Sequence, residues 1–259
     1  MRFFEKIGNR RFYGRCKIGM NESSGPGRRH RRSNYKEVWT ALSATEAAAK
    51  THVGGSEDEE ELTRSGIGTT NFLLENIGVD SSDVVLEIGC GIGRVGKQLA
   101  SRCRKWIGCD VSPNMLKLAA ERLRKFSNVE LVEISGHDLK PIADRSLDFV
   151  YCTVVFMHLE QWDRYNYVEE AFRVLRGDGK FYVDSANLCS DAGWAIFERH
   201  RLFKPKERAA HMTECSTPQE LHEYLKRAGF EDIQIKPGSE LVSVWGRKPV
   251  KASGGMAGL

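Results

Sequence analysis

Val85-Leu86-Glu87-Ile88-Gly89-Cys90-Gly91-Ile92-Gly93-Arg94 passes from an apolar run through one acid into three alternating glycines. A short apolar run bounded by glycine reads as a buried strand, and the residues beyond it read as the start of a helix. Glycine at the junction permits a sharp turn and lets main chain approach a ligand closely. The amides at the helix start then face whatever lies above the strand end. The segment therefore predicts a strand–turn–helix unit of an α/β sheet with a ligand at its turn.

The surrounding chain extends the same pattern. Apolar runs at 84–88, 106–109, 129–133, 147–155 and 180–184 alternate with helical stretches at 93–102, 113–125 and 163–175. Apolar strands separated by helices signal a parallel sheet covered on both faces. Ser112 followed by Pro113 marks one helix start, and Thr217-Pro218-Gln219-Glu220 another, whose helix ends at Gly229. Strands at 232–235 and 241–245 are joined by Pro237-Gly238, and so short a link requires them to be antiparallel. Upstream, Tyr35, Val38, Trp39, Leu42 and Ala49 fall at helical spacing and predict one amphipathic helix over 35–49. The acidic run 57–61 follows a Gly/Ser breaker and suits the positive end of a helix dipole better than a metal. Residues 69–77 read as a further helix, ended by Gly78.

Charge divides the chain unevenly. Residues 1–50 hold 12 Lys and Arg against 4 Asp and Glu, while the other 209 hold 27 against 31. The net charge of +4 thus belongs to the N-terminus, and a nucleic-acid-binding core is not indicated. Residues 1–34, with Arg28-Arg29-His30-Arg31-Arg32, read as a solvated, disordered arm, with a polybasic docking element or a transit peptide as alternatives. Met20 is a candidate translation start. Residues 35–65 form a helical lead-in, 66–247 the main domain, and 248–259 a Gly-rich tail. Mean hydropathy is -0.43, and no apolar run is long enough to span a bilayer. The seven cysteines include no CxxC, and no Cys/His spacing matches a zinc site, which suggests reduced thiols and a cytoplasmic location.

Two cofactors could use the glycine loop. Gly91-x-Gly93-x-x-Gly96 with Asp110 downstream matches the dinucleotide fingerprint of an NAD-dependent oxidoreductase. However, Glu87-x-Gly89-x-Gly91-x-Gly93 resembles motif I of the class I S-adenosylmethionine-dependent methyltransferases. The resemblance continues in order through Cys109-Asp110-Val111-Ser112-Pro113-Asn114-Met115-Leu116, Gly136-His137-Asp138-Leu139, Leu147-Asp148-Phe149-Val150-Tyr151-Cys152-Thr153 and Leu175-Arg176-Gly177-Asp178-Gly179, where Gly177 replaces a proline and Asp178 a glycine. It covers roughly residues 66–247. It implies a Rossmann-like seven-stranded α/β sheet, mostly parallel with an antiparallel last strand and helices on both faces. It implies S-adenosylmethionine as cofactor, S-adenosylhomocysteine as product, and Asp110 on the ribose hydroxyls. Glu87, Gly89, Cys90, Gly91 and Gly93 would line the amino-acid end, with Val111 and Met115 on the adenine faces. His137, Asp138 and Leu139 would meet the adenine edge, with Thr153 and Val154 beside the cofactor.

The acceptor is less constrained. Thr153-Val154-Val155-Phe156 stands where amino-adenine and glutamine methyltransferases carry Asn-Pro-Pro-Tyr or Asp-Pro-Pro-Tyr. The chain thus resembles the small-molecule, ubiquinone-type branch, which implies transfer to an O-, N- or C-nucleophile. An RNA or protein methyltransferase docking through the basic arm is the alternative. No metal-ligand set like that of the catechol type is present. His158, just past the fourth strand, and His200 and His211 are candidate catalytic residues. The stretch 187–216 is long for a connection and suits an acceptor lid, with Asn187, Trp194 and Phe197 as candidate substrate contacts.

Overall fold

The computed structural model describes residues 32–250. The expected arm up to residue 31, the Met20 start and the tail from 251 lie outside the described residues.

Seven strands form one sheet in the order β3-β2-β1-β4-β5-β7-β6. They are β1 Val84–Ile88, β2 Lys105–Asp110, β3 Val129–Glu133, β4 Leu147–Cys152, β5 Leu175–Ala186, β6 Glu231–Pro237 and β7 Leu241–Arg247. The first five run parallel, and β7 is antiparallel to both β5 and β6. The expected closing hairpin is therefore present, with its two strands side by side. The chain order reverses between β1 and β4, which opens a crevice above the carboxyl ends of these strands. β1 and the outer half of β4 are buried throughout, as strands covered on both faces must be.

The helices are α1 Tyr35–Leu42, α2 Glu46–Gly54, α3 Glu59–Asn76, α4 Gly96–Leu99, α5 Pro113–Leu123, α6 Gln161–Val174, α7 Asp191–Arg201 and α8 Pro218–Ala228. One core, on Leu86, Val150, Phe181 and Val244, also holds Val168, Leu221 and Leu225 from α6 and α8. The other holds Val85, Phe149, Trp106 and Tyr182 with Leu73 of α3 and Leu123 of α5. Capping follows the sequence signals. The Ser112 hydroxyl accepts from the Met115 amide, Thr217 from Glu220, and Asp58 from Glu60 and Glu61 at the head of α3. The acidic run thus lies on a helix dipole. Gly229 ends α8 in the left-handed region.

Several boundaries differ from expectation, and β5 begins at Leu175, five residues before the apolar run read at 180–184. The single helix over 35–49 is broken into α1 and α2, because Thr45 caps a new start by accepting from Ala48 and Ser43 bonds back to Trp39. The helix expected at 69–77 begins ten residues earlier, at Glu59, and α3 runs unbroken across residues 65 and 66. The stretch 93–102 is helical from Gly96 on, as α4 continued by a 3-10 turn at Ala100–Arg102, while 93–95 are turn; three glycines in residues 91–96 make an earlier helix start costly. β4 ends at Cys152, and Val154 takes φ 53° as the chain turns over the crevice.

Candidate active site

The crevice above β1, β2 and β4 is a partly enclosed cleft. Its floor is Glu87, Ile88, Gly89, Cys90 and Gly91, followed by Arg94. One wall is Asp110, Val111 and Met115, and the other is Thr153, Val154, Val155 and His158. Tyr35 and Trp39 of α1 and His52 and Val53 of α2 cover it. The roof is pinned by the Ser43 and Ser112 hydroxyls at 2.8 Å and by Asn114 donating to the Thr40 carbonyl at 3.1 Å. Tyr35 donates to Asp163 at 2.7 Å and accepts from the Glu160 amide at 2.9 Å.

The glycine loop is shaped by its backbone. Gly91 has φ +52°, and a Cβ there would sit 2.7 Å from the Val53 side chain. The loop is also held by an acid. Asp110 accepts from the Gly91 amide at 2.8 Å through one oxygen and from the Ser112 amide at 2.9 Å through the other. A carboxylate has about four lone-pair positions, so two remain for a ligand. Burial pushes the Asp110 carboxyl up to about 6 despite these amides.

Below the loop lies a buried polar group. Glu87 accepts from the Tyr151 hydroxyl at 2.6 Å, and Tyr151 accepts from the Trp106 indole at 3.0 Å. Burial pushes the Glu87 carboxyl up to about 8. Asp184 accepts from the Thr153 hydroxyl, the Val154 amide and the Tyr182 hydroxyl, which fixes the turn after β4. The Arg94 guanidinium, 6% exposed, donates to Ser65 and Thr69 of α3 at 3.4 and 3.2 Å. Its Nε has no hydrogen-bond partner among the described residues.

Histidines gather at the upper wall. His158 Nδ1 lies 2.9 Å from the His211 carbonyl. A carbonyl only accepts, so Nδ1 carries the proton and Nε2 keeps its lone pair. The Trp39 ring lies 5.0 Å from the His158 ring, and His52 lies 5.6 Å from His211. Burial pushes His158 down to about 3 and His211 down to about 4, so these imidazoles are neutral at physiological pH. Buried Arg164 fixes this wall by donating to the Leu159 carbonyl, Ser216, Glu214 and Glu220. Arg32, at the end of the expected arm, donates to the Met157 carbonyl at 2.8 Å and pairs with Glu214 at 3.2 Å.

Nine of the expected cofactor contacts meet in this cleft: Glu87, Gly89, Cys90, Gly91, Asp110, Val111, Met115, Thr153 and Val154. Four do not line it. Gly93 packs against Leu123 and Ala119, Leu139 is in the core, His137 faces solvent, and Asp138 turns to Lys140. Among the histidines, His158 lines the cleft, and His211 stands behind it. His200 lies farther out, with Nδ1 donating to the Thr213 carbonyl. Asn187 is outside the cleft, buried and tied to Gly238 and Cys189. Trp194 and Phe197 are exposed on α7. Tyr35, Trp39, His52, Val53 and Arg94 join the cleft without a motif to mark them; only the apolar spacing of Tyr35 and Trp39 singled them out.

A methyltransferase-domain family model matches residues 86–183, which span the glycine loop, Asp110 and the turn after β4. Human thiol S-methyltransferase TMT1A is 28% identical over 170 residues, covering 63% of this chain and 66% of that protein, just under two thirds of its length. The O-methyltransferase resE of Aspergillus sclerotiorum is 27% identical over 212 residues, covering 77% of this chain and 75% of its own. The Haemonchus contortus phosphoethanolamine N-methyltransferase 2 structure, a complex with S-adenosylhomocysteine, superimposes with a TM-score of 0.58 at 17% identity, over 70% of this chain and 53% of that one. Residues 86–183 are thus similar to a methyltransferase domain, and the fold is that of solved methyltransferase structures. A second structure of that Haemonchus enzyme, with the same TM-score, is a complex with S-adenosylmethionine. Among the described residues no cluster of His, Cys, Asp and Glu could hold a metal, and no helix is long and apolar enough to cross a membrane.

Proposed function

We propose that the protein moves a methyl group from S-adenosylmethionine to a small-molecule acceptor held between the glycine loop and the roof of α1 and α2. The observation that carries this reading is the cleft itself, where a doubly anchored Asp110, an open glycine loop and a roof bearing neutral imidazoles face one space.

The residues present fit the cofactor. Asp110 has two lone-pair positions left for a ribose diol. Val111 and Met115 offer apolar faces to adenine, and the turn at Gly89, Cys90 and Gly91 offers main-chain groups to the amino-acid end. Arg94 holds an unpartnered Nε at the cleft, which suits the carboxylate of that end. The sulfonium supplies an activated methyl, so the chain's task is position and desolvation. Trp39, His52 and Val53 exclude water from above. His158 is fixed with Nε2 as an acceptor, so it can hold the proton of a thiol, hydroxyl or amine and aim its lone pair at the methyl. A depressed basicity makes His158 an orienting group rather than a strong base. The lining of Trp39, Val155, Leu159 and Tyr167 favours a neutral acceptor with an apolar body, and relatives named for thiol and O-methyl transfer support that class. In this reading 66–247 is the catalytic domain, 35–65 supplies the roof, and 187–216 backs the acceptor wall.

Incubation with methyl-labelled S-adenosylmethionine and a small-molecule extract tests the reading. Label in a low-mass product, with matching S-adenosylhomocysteine, is expected. Label only in macromolecules would refute a small-molecule acceptor.

A further inference from the structure

The outer face of α7 is unusual for a surface helix. Trp194, Phe197 and Leu202 are 51%, 43% and 74% exposed, and the two rings lie 5.2 Å apart with a 32° tilt. The helix cannot turn this face inward. Gly193 and Ile196 form the buried side of the helix, and any Cβ at Gly193 would collide with the Asn187 carbonyl. Exposed Arg201, Lys204, Lys206 and Arg208 follow within one short stretch. The acids among them are Glu198, which pairs with Arg201 at 3.7 Å, and Glu207, which accepts from the Lys204 amide. Four exposed cations against two acids leave the patch net positive beside its apolar rings.

We propose that this face of α7, with the basic stretch 201–208, seats the protein on the surface of an anionic lipid bilayer. Aromatic rings flanked by Lys and Arg match the boundary between acyl chains and acidic headgroups, where tryptophan is favoured. Nucleic-acid phosphates would meet the cations but leave Phe197 and Leu202 in water. An apolar protein groove would meet the rings but leave the cations unmatched. The patch also adjoins the cleft. His200 of α7 bonds to the Thr213 carbonyl, the Glu214 amide donates to the Met157 carbonyl, and the His211 carbonyl holds His158 at the cleft wall. These bonds tie α7 to the segment that backs the cleft wall. The seat stands on exposure and charge and does not depend on the proposed methyl transfer.

Flotation of the full chain with vesicles tests it, using phosphatidylcholine alone and phosphatidylcholine with phosphatidylserine. Binding is expected only with phosphatidylserine and should weaken in high salt. The exposed side chains can be changed without touching the core. Trp194→Ala with Phe197→Ala should abolish flotation. Lys204→Gln, Lys206→Gln and Arg208→Gln together should weaken it by about a hundredfold, at about fivefold per lost charge. No binding to the acidic vesicles would overturn the proposal. So would binding that survives both variants, which would place the contact elsewhere in the chain. Capture on single-stranded RNA that is lost in the Gln variant but kept in the Ala variant, without vesicle binding, would assign the cations to nucleic acid and overturn it as well.

Discussion

Asp110 should account for most of the affinity contributed by the ribose hydroxyls. Its two oxygens already accept the Gly91 and Ser112 amides, so Asp110→Ala removes both a ligand contact and a brace of the glycine loop. A drop in affinity alone would not separate the two effects. Changing the ligand does. S-adenosylhomocysteine and its 2′,3′-dideoxy analogue differ only in the hydroxyls that the carboxylate would accept. Hydrogen bonds to a charged group contribute about 1.5–3 kcal/mol each, so losing two costs about 3–6 kcal/mol, and the lower bound is already more than a hundredfold in Kd. Titration calorimetry at pH 8, above the Asp110 carboxyl at about 6, should show the analogue binding at least about a hundredfold more weakly to the unmodified protein. In Asp110→Ala both ligands should bind weakly and within about threefold of each other, since the coupling is gone. A preference for the hydroxylated ligand that persists undiminished in Asp110→Ala would refute the ribose assignment.

Arg94→Met should weaken S-adenosylhomocysteine by roughly 10- to 150-fold, the scale of one charged hydrogen bond, and leave methylthioadenosine, which lacks the amino-acid end, nearly unchanged; calorimetry on both ligands decides. Glu87 has a folded-state carboxyl at about 8, above its unfolded value, so its stabilising contribution is full below about pH 4.5 and is lost as pH rises through 8. The ligand-free protein should therefore lose more Tm between pH 6 and 9 than Glu87→Gln does, and parallel melting curves would contradict this. His158 has a depressed folded-state value of about 3, so its contribution is present above about pH 6.5 and is lost as pH falls toward 3. Denaturant titration of His158→Asn over that range should show a shallower acid loss than the unmodified protein.

The sheet was legible because buried strands carry their own signal. Val84–Ile88, buried throughout, has the bounds read from its apolar run, as does the half-exposed edge strand Val129–Glu133, and Ser112 and Thr217 cap the helices that they announce. Local chemistry hid the break at 43–45, where the apolar spacing of Trp39, Leu42 and Ala49 continues although Ser43 and Thr45 redirect the main chain. The floor of the cleft was legible for a different reason. Glu87, the glycines and Asp110 sit at strand ends, so their place follows once the strands are known. The roof was not. Trp39 reaches His158 and His52 reaches His211 across more than a hundred residues of chain, and the packing of α1 against α5 places Trp39 there. Asp138 shows the opposite case, since a motif position fits its sequence context while the side chain turns to Lys140 instead.

Binding of S-adenosylmethionine in this cleft is read out by thermal unfolding with its product. Binding to the folded state at a hundredfold excess over Kd contributes about 2.7 kcal/mol, which corresponds to a rise in Tm of roughly 5–10 °C for a chain of this size. The account predicts that rise with S-adenosylhomocysteine and none with NADH. A rise with NADH and no response to S-adenosylhomocysteine would contradict it.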